Sequence, residues 1–253
     1  MSEDAAQTEG RAEDLHFQLS SSNRRRLLSE LQVGPLRINE AAKRLDMTAT
    51  ETLRQLQRLA QAGLLARMSD GKYRITSYAK LVLDSAAPLD FISRFREYFE
   101  NHDALLLPYE FRARLGELTG AELVEDTILI NNRVTDYIRN AEKTIDATVV
   151  GLEVLFDMTR QRLEQGLKVR LLLHERFLPR ARSILRTRED LPEMRWTSGL
   201  FTYIFRTDKA AGIGLAVEDG VTYSAFFGTS TPFLRWAGDI FEYEWQRAKI
   251  WYP

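Results

Sequence analysis

The chain has 253 residues, 44% of them apolar and 28% charged, with a formal net charge of −1; this is an ordinary composition for a chain long enough to form two domains. It holds no cysteine, and its three histidines, His16, His102 and His174, lack any metal-ligand spacing, so disulfides, thiol chemistry, a metal site and a cofactor are not expected. No apolar run reaches the ~18 residues of a membrane span and the acidic start is unlike a signal peptide, so no membrane partner and a cytoplasmic location are expected.

The near-neutral total hides a division. Residues 21–80 carry twelve Lys/Arg against five Asp/Glu, a net of +7, whereas the remaining 23 basic and 31 acidic residues give −8. A local basic surface of this kind suits a polyanion.

In chain order, "MSEDAAQTEGRAED" has no apolar period, which predicts a flexible tail over residues 1–14. "SSNRRRLLSELQ" places Leu27, Leu28 and Leu31 at helical spacing, with Arg24, Arg25 and Arg26 at the start of that helix. After the extended "PLRI", Asn39 is a candidate cap for a helix that turns Ala42 and Leu45 inward with Ile38. Thr48 and Glu51 form a capping-box pattern for the next helix, which runs to Gly63. Its apolar side is Thr52, Leu53, Leu56, Leu59 and Ala60, leaving Thr50, Glu51, Arg54, Gln55 and Arg58 outside. "LLARM" and "KYRIT" flank Ser69-Asp70-Gly71, a hairpin signal, with Leu65, Tyr73 and Ile75 inward and Arg67, Lys72 and Arg74 outward. Ser77 caps a further helix, and Pro88 is expected to separate it from one bearing Phe91, Phe95 and Phe99, with a domain boundary near residue 87.

Strands and helices then alternate: "TIDATVVG", a helix over 153–165, "KVRLLL", a helix over 177–187 and "EMRWT" predict a parallel sheet of βαβ units. "IGLAVEDGVTYSAFF" reads as a hairpin around Asp219-Gly220, and a long helix closes the chain with Thr231 as cap and Pro232 in its first turn. The expected fold is thus an α+β winged helix-turn-helix at 15–86, followed by a larger α/β sensor and dimerisation domain at 87–253 with a mainly parallel sheet.

The order helix, short strand, helix, turn, helix and hairpin suits a DNA-binding winged helix, since exposed Arg and Gln can meet base edges and wing cations can meet phosphate. "TATETLRQLQRLAQAGLLAR" resembles the recognition helix of archaeal ArsR-like winged-helix transcription regulators. "YFENHDALLLPYEFRARLGELTGAELVED" resembles the start of the sensor domain of the methanogenesis-regulator (Fil-type) family, and "FFGTSTPFLRWAGDIFEYEWQRA" its end. The resemblance implies a transcription regulator that reads double-stranded DNA at a promoter or operator, is dimeric, and has a sensing C-terminal half. By position, Thr50, Arg54, Gln55, Arg58, Lys72 and Arg74 become the DNA readers; ArsR-type metal sensing does not transfer, because cysteine is absent.

"DKAAGIGLAVEDGVTYSAFFGTS" is similar to a worn phospholipase D half, as in the sensor domains of TrmB-like sugar regulators. Active members need His-x-Lys and a later Asp; Lys209 has no such histidine and His174 no such lysine, so no enzymatic activity is expected. The alternatives are a phospholipase D-like phosphodiesterase carrying an accessory winged helix and a winged-helix module for protein contact. A small-molecule effector is expected at the carboxyl ends of the parallel strands and before the last helix, at Glu153, His174, Glu175, Arg176, Thr229 and Ser230.

Overall fold

The computed structural model describes residues 3–149, 152–185, 191–215 and 224–252. They divide into two compact units, Met1–Ala86 and Ala87–Pro253. The architecture is α+β, a helical N-terminal region followed by a larger unit built on a mixed sheet.

The first unit contains α1 (Glu3–Ser20), α2 (Ser22–Val33), α3 (Ile38–Leu45), α4 (Ala49–Gln61), β1 (Leu65–Arg67) and β2 (Tyr73–Ile75). The predicted tail is therefore corrected: residues 3–20 are helical, and Leu15 and Leu19 pack on the unit's core. That core is the leucine set of the periodic helices, Leu27, Leu28, Leu31, Leu45, Leu56 and Leu59, closed by Tyr73 and Ile75 of the hairpin. Asp46, at φ 54°, ends α3 in the left-handed conformation, which a short polar side chain tolerates better than most. Gly63, at φ 75°, ends α4, and the amide of Leu64 reaches back to the Leu59 carbonyl at 2.9 Å. Asn39 is not the cap of α3: Arg37 holds that position, and its amide donates to the Glu40 carboxylate at 2.7 Å.

In the second unit α5 (Ser77–Arg94), which begins in the first, leads to α6 (Arg96–Asn101) and α7 (Tyr109–Arg112), then β3 (Glu122–Val124) and α8 (Thr127–Asn140). The expected break at Pro88 is absent: α5 runs through it, and the chain bends at Phe95. Packing accounts for this. Phe91 is buried against Phe226 at 5.1 Å, and Gly116 leaves space beside Ala87 and Pro88 that a Cβ, 2.7 Å from the Ala87 Cβ, would fill. There follow β4 (Thr144–Val149), α9 (Leu152–Glu164), β5 (Lys168–His174), α10 (Leu178–Leu185), β6 (Glu193–Thr197), β7 (Thr202–Thr207), β8 (Ala211–Leu215), β9 (Ala225–Gly228), α11 (Thr231–Arg247) and β10 (Lys249–Ile250).

These strands form one eight-stranded sheet in the order β10-β6-β5-β4-β7-β8-β9-β3. Only β4–β5 and β5–β6 are parallel, where helices provide the crossovers; the remaining pairs are antiparallel. The mainly parallel sheet is thus corrected to a mixed one. The Asp219-Gly220 turn lies outside the described residues, although the flanking β8 and β9 pair antiparallel. One face of the sheet packs Leu172, Ile204 and Ile213 beneath Trp236, Ile240 and Phe241 of α11. The other packs Ala147, Val169 and Leu171 against Ile138 of α8 and Ala181 of α10. Phe91, Phe95 and Phe99 surround Phe226 and are core residues, as are Trp236 and Trp245.

Beneath α11, a polar row interrupts the apolar packing. Asp146 of β4 is 3% exposed and meets Arg170 of β5 and Arg206 of β7, each at 2.8 Å, and Arg170 continues to Glu242 of α11 at 2.8 Å. Removing one partner of a buried pair strands the other charges, whereas exposed pairs contribute little. Asp146→Asn is therefore expected to cost about 3–5 kcal/mol, and Glu30→Gln, which breaks an exposed pair with Arg44, less than about 1 kcal/mol. Urea denaturation of each variant measures both; equal small effects would show that the buried row contributes nothing particular.

Candidate nucleic-acid interface

The turn Asp46-Met47-Thr48 joins α3 to α4, and the Thr48 hydroxyl accepts the Glu51 amide at 3.2 Å. The reciprocal half of the expected box is replaced: the Glu51 carboxylate pairs with Arg54 at 2.7 Å and accepts from the Gln55 amide. These bonds to Arg54 and Gln55 hold Glu51 below its ordinary value. Thr50, Arg54 and Arg58 are exposed along α4.

Gln55 is corrected. It is 5% exposed, and its carbonyl oxygen accepts from Arg24 at 3.2 Å. Arg24 is itself 4% exposed and donates to the carbonyls of Gln18 and Phe17. Burial foremost, then the charge of Arg58, lowers its affinity for its proton. Arg24 and Gln55 thus tie α1, α2 and α4 together, while Arg25 and Arg26 remain exposed.

The hairpin pairs Leu65 with Ile75 and Arg67 with Tyr73, and Gly71, at φ 81°, makes its turn. Lys72, half-buried, lies 3.6 Å from Asp70, whose carboxylate also accepts the Lys72 amide at 3.1 Å; Arg67 and Arg74 are exposed. Leu36 bridges to Tyr73 through two backbone hydrogen bonds of 3.1 and 2.9 Å, adding a third extended segment to the hairpin. This brings Arg37 close enough for its charge to act on Asp70. Arg37 was not among the predicted DNA readers; its place within the extended "PLRI" was the available signal.

The proposed effector residues do not converge. Register and direction put His174 at one end of the sheet, whereas Gly228, paired with Ala211, puts Thr229 and Ser230 at the other. His174 and Ser230 are also occupied locally. The His174 ring accepts the Arg176 amide at 3.2 Å, and Ser230, rather than Thr231, caps α11 by accepting the Phe233 amide at 3.4 Å. Burial, then the charge of Arg176, lowers the His174 pKa. Glu175 is exposed, and Arg176 donates to the Tyr203 hydroxyl at 2.9 Å. Glu153 stands in the first turn of α9, with its side chain outside the described residues.

The strand ends are also covered. β6 and β7 are three strand positions apart, about 14 Å at ~4.8 Å per strand, and are joined only by residues 198–201. This link must cross the carboxyl ends of β5 and β4. Glu244 of α11, 3% exposed, pins its far end by accepting the amides of Phe201 and Thr202 at 2.8 and 3.1 Å.

The residues nearest to a phosphodiester-cleaving set are engaged otherwise. Lys209 pairs with Glu142, and Asp208 accepts the amides of Glu142 and Lys143 at 3.0 Å each. Burial opposes ionisation of Asp208, but these amides and that of Thr144 outweigh it and lower its pKa. Gly212, in the Gly212-Ile213-Gly214 run of β8, sits where a Cβ would lie 2.7 Å from the Phe227 ring. Among the described residues, no helix is long and apolar enough to cross a membrane, and no group of three His, Cys, Asp or Glu is placed to hold a metal ion.

Residues 12–96, about a third of the chain, match the family described as the HVO_A0261 N-terminal domain. Among solved structures, the chain is similar to TrmBL2, described as an archaeal chromatin protein with a novel mode of DNA binding. The identity is 18%, with 90% of this chain and 93% of that one covered and a TM-score of 0.44. It is also similar to NucT from Helicobacter pylori at 12% identity, with 52% and 98% covered and a TM-score of 0.43. Nuc from Salmonella typhimurium, a phospholipase D family member, follows at 13% identity, with 49% and 91% covered and a TM-score of 0.39. Likeness at this level supports no inference about function. No curated protein matches the sequence.

Glu244 supplies a test of the link across the strand ends. Burial raises its pKa from 4.5 to about 8, against the lowering effect of the Phe201 and Thr202 amides. The folded protein keeps a proton that the unfolded chain releases above about pH 4.5, so this stabilisation is complete below that pH and is lost as pH approaches 8. Relative to Glu244→Gln, the parent chain is expected to lose stability steadily between these values. Urea midpoints of the two proteins across the range measure it; parallel profiles would show that Glu244 ionises normally.

Proposed function

We propose that the chain is a DNA-binding transcription regulator of archaeal type, its first unit a winged helix-turn-helix with α4 as the recognition helix. The observation that carries the reading is the exposed face of α4, bearing Thr50, Arg54 and Arg58, on the same compact unit as a hairpin with outward Arg67 and Arg74 and half-buried Lys72. In this reading Arg54 and Arg58 meet base edges or phosphates in the major groove, while Lys72 and Arg74 meet the backbone. Arg37, drawn to the hairpin by the Leu36–Tyr73 bridge, joins the wing cations.

Gln55 is removed from the readers and assigned to the Arg24 tie. The regulator works in the cytoplasm as a homodimer on a two-fold symmetric operator, and its second unit binds an effector that favours one spacing of the recognition helices. It performs no phosphodiester hydrolysis; the engagement of Lys209 by Glu142 and of His174 by the Arg176 amide supports this.

Fluorescence anisotropy of the full chain on its own upstream DNA and on scrambled duplex, across a salt series, tests the proposal. Preference for the upstream DNA with a steep negative salt slope is expected. Arg54→Ala or Arg58→Ala should each weaken binding by about 1–3 kcal/mol where it reads a base, and Lys72→Ala should reduce the slope by about 1. Equal weak binding to both duplexes would overturn operator recognition, and no salt-dependent binding would favour a protein-contact module.

A further inference from the structure

We infer that the cleft formed around α6 and α7 binds a small amphipathic organic monoanion, with Arg112 meeting the anionic group and the apolar lining receiving its body. The inference rests on reading the second unit as an effector-binding body, but it moves the site away from the strand ends. An open cleft of about 990 Å³ lies entirely within this unit, lined in part by Ile92, Phe99, His102, Leu105, Arg112 and Leu115. Small-ligand sites have this scale and this mostly apolar lining.

The sign of the ligand follows from the polar groups that are already satisfied. Glu100 accepts from Arg96 at 2.6 Å, and Asp103 accepts the Leu105 amide at 2.8 Å. His102 stacks on Tyr98, with ring centroids 3.9 Å apart; its Nδ1 lies 2.8 Å from the Tyr98 carbonyl and its Nε2 3.3 Å from the Ser224 hydroxyl. Arg112 differs. Among the described residues no carboxylate is paired with it, and the Tyr109 ring lies 5.9 Å from its guanidinium carbon. A guanidinium without a paired carboxylate can form charge-assisted hydrogen bonds to an incoming anion.

The body of the ligand is specified by the apolar groups. Leu105, in the lining, is 73% exposed and so presents apolar surface that the unit does not itself cover. Inorganic phosphate would leave that surface unused, a cation would meet Arg112, and a neutral polyol would bring no charge to it. The wall itself is preformed: the Tyr98 hydroxyl accepts the Leu215 amide at 2.9 Å and fixes α6 to the end of β8.

The test uses the full chain without DNA, so its failure leaves the operator experiment untouched. 1-Anilinonaphthalene-8-sulfonate serves as the anionic probe, N-phenyl-1-naphthylamine as its uncharged counterpart and decanoate as competitor. Saturable sulfonate binding, displaced by decanoate, is expected. Arg112→Gln should weaken the sulfonate about ten-fold or more while leaving the amine within about two-fold, and Arg112→Lys should restore part of the loss. Should Arg112→Gln fold poorly, Leu105→Glu, at an exposed position, places a like charge at the mouth and should weaken the sulfonate selectively. Unchanged sulfonate affinity in a folded Arg112→Gln or in Leu105→Glu, or equal loss of both dyes, would overturn the site.

Discussion

The second unit depends on Asp146. Its carboxylate sits on the central strand β4 and holds one guanidinium from each neighbouring strand, Arg170 on the parallel side and Arg206 on the antiparallel side. A one-residue slip of either strand would turn its arginine to the opposite face and take from the buried carboxylate one of its two guanidinium partners, so the pairs specify register. The same row locates α11. Arg170 reaches Glu242 and lies over the rings of Phe241 and Trp245, while Gly238 gives Arg206 room: a Cβ there would lie 3.0 Å from its guanidinium carbon. Hydrophobic burial supplies driving force for this layer, but it does not distinguish neighbouring registers as sharply as a buried charge does.

The first unit was legible where its signals were local. Leu27, Leu28 and Leu31, the Thr48 cap, the Gly63 stop and the Asp70-Gly71 turn each act within a few residues, and they lie in the expected elements. Gln55 was misread although its spacing was informative: Thr52, Gln55, Leu56 and Leu59 follow i, i+3, i+4 and i+7, and all are buried. Its polarity suggested an outward face, whereas its partner Arg24 is 31 residues away and cannot be inferred from a local pattern. α1 was missed for a related reason, since Leu15 and Leu19 are ordered by packing rather than by a strong period of their own.

The sheet was legible only as far as alternation constrains it. Crossover helices make β4, β5 and β6 parallel, but alternation does not say on which edge the next strand will pair. β7 passes over two strand ends to join β4 in the opposite sense, and the short β7–β8 connection then continues the antiparallel pattern. This one choice also undermines the expected effector site, because the residues 198–201 link occupies the position at which an open parallel sheet would receive a ligand.

With that position covered, the helical segment before β3 becomes the more informative surface. Its other arginines are held by carboxylates, Arg96 by Glu100 and Arg114 by Glu117 and Asp239, whereas no carboxylate among the described residues is paired with Arg112. The cleft also includes Ile92, carried on the helix that begins at Ser77 directly after the hairpin strand β2. Chain continuity alone does not make an effector site regulatory. A ligand shifts a conformational equilibrium only by the difference in its affinity for the two states, and a wall already fixed by Tyr98 can supply that difference only through elements that move against it. Regulation through this cleft therefore requires Ile92 or the α7 segment bearing Arg112 to differ between states, while α6 remains attached to β8.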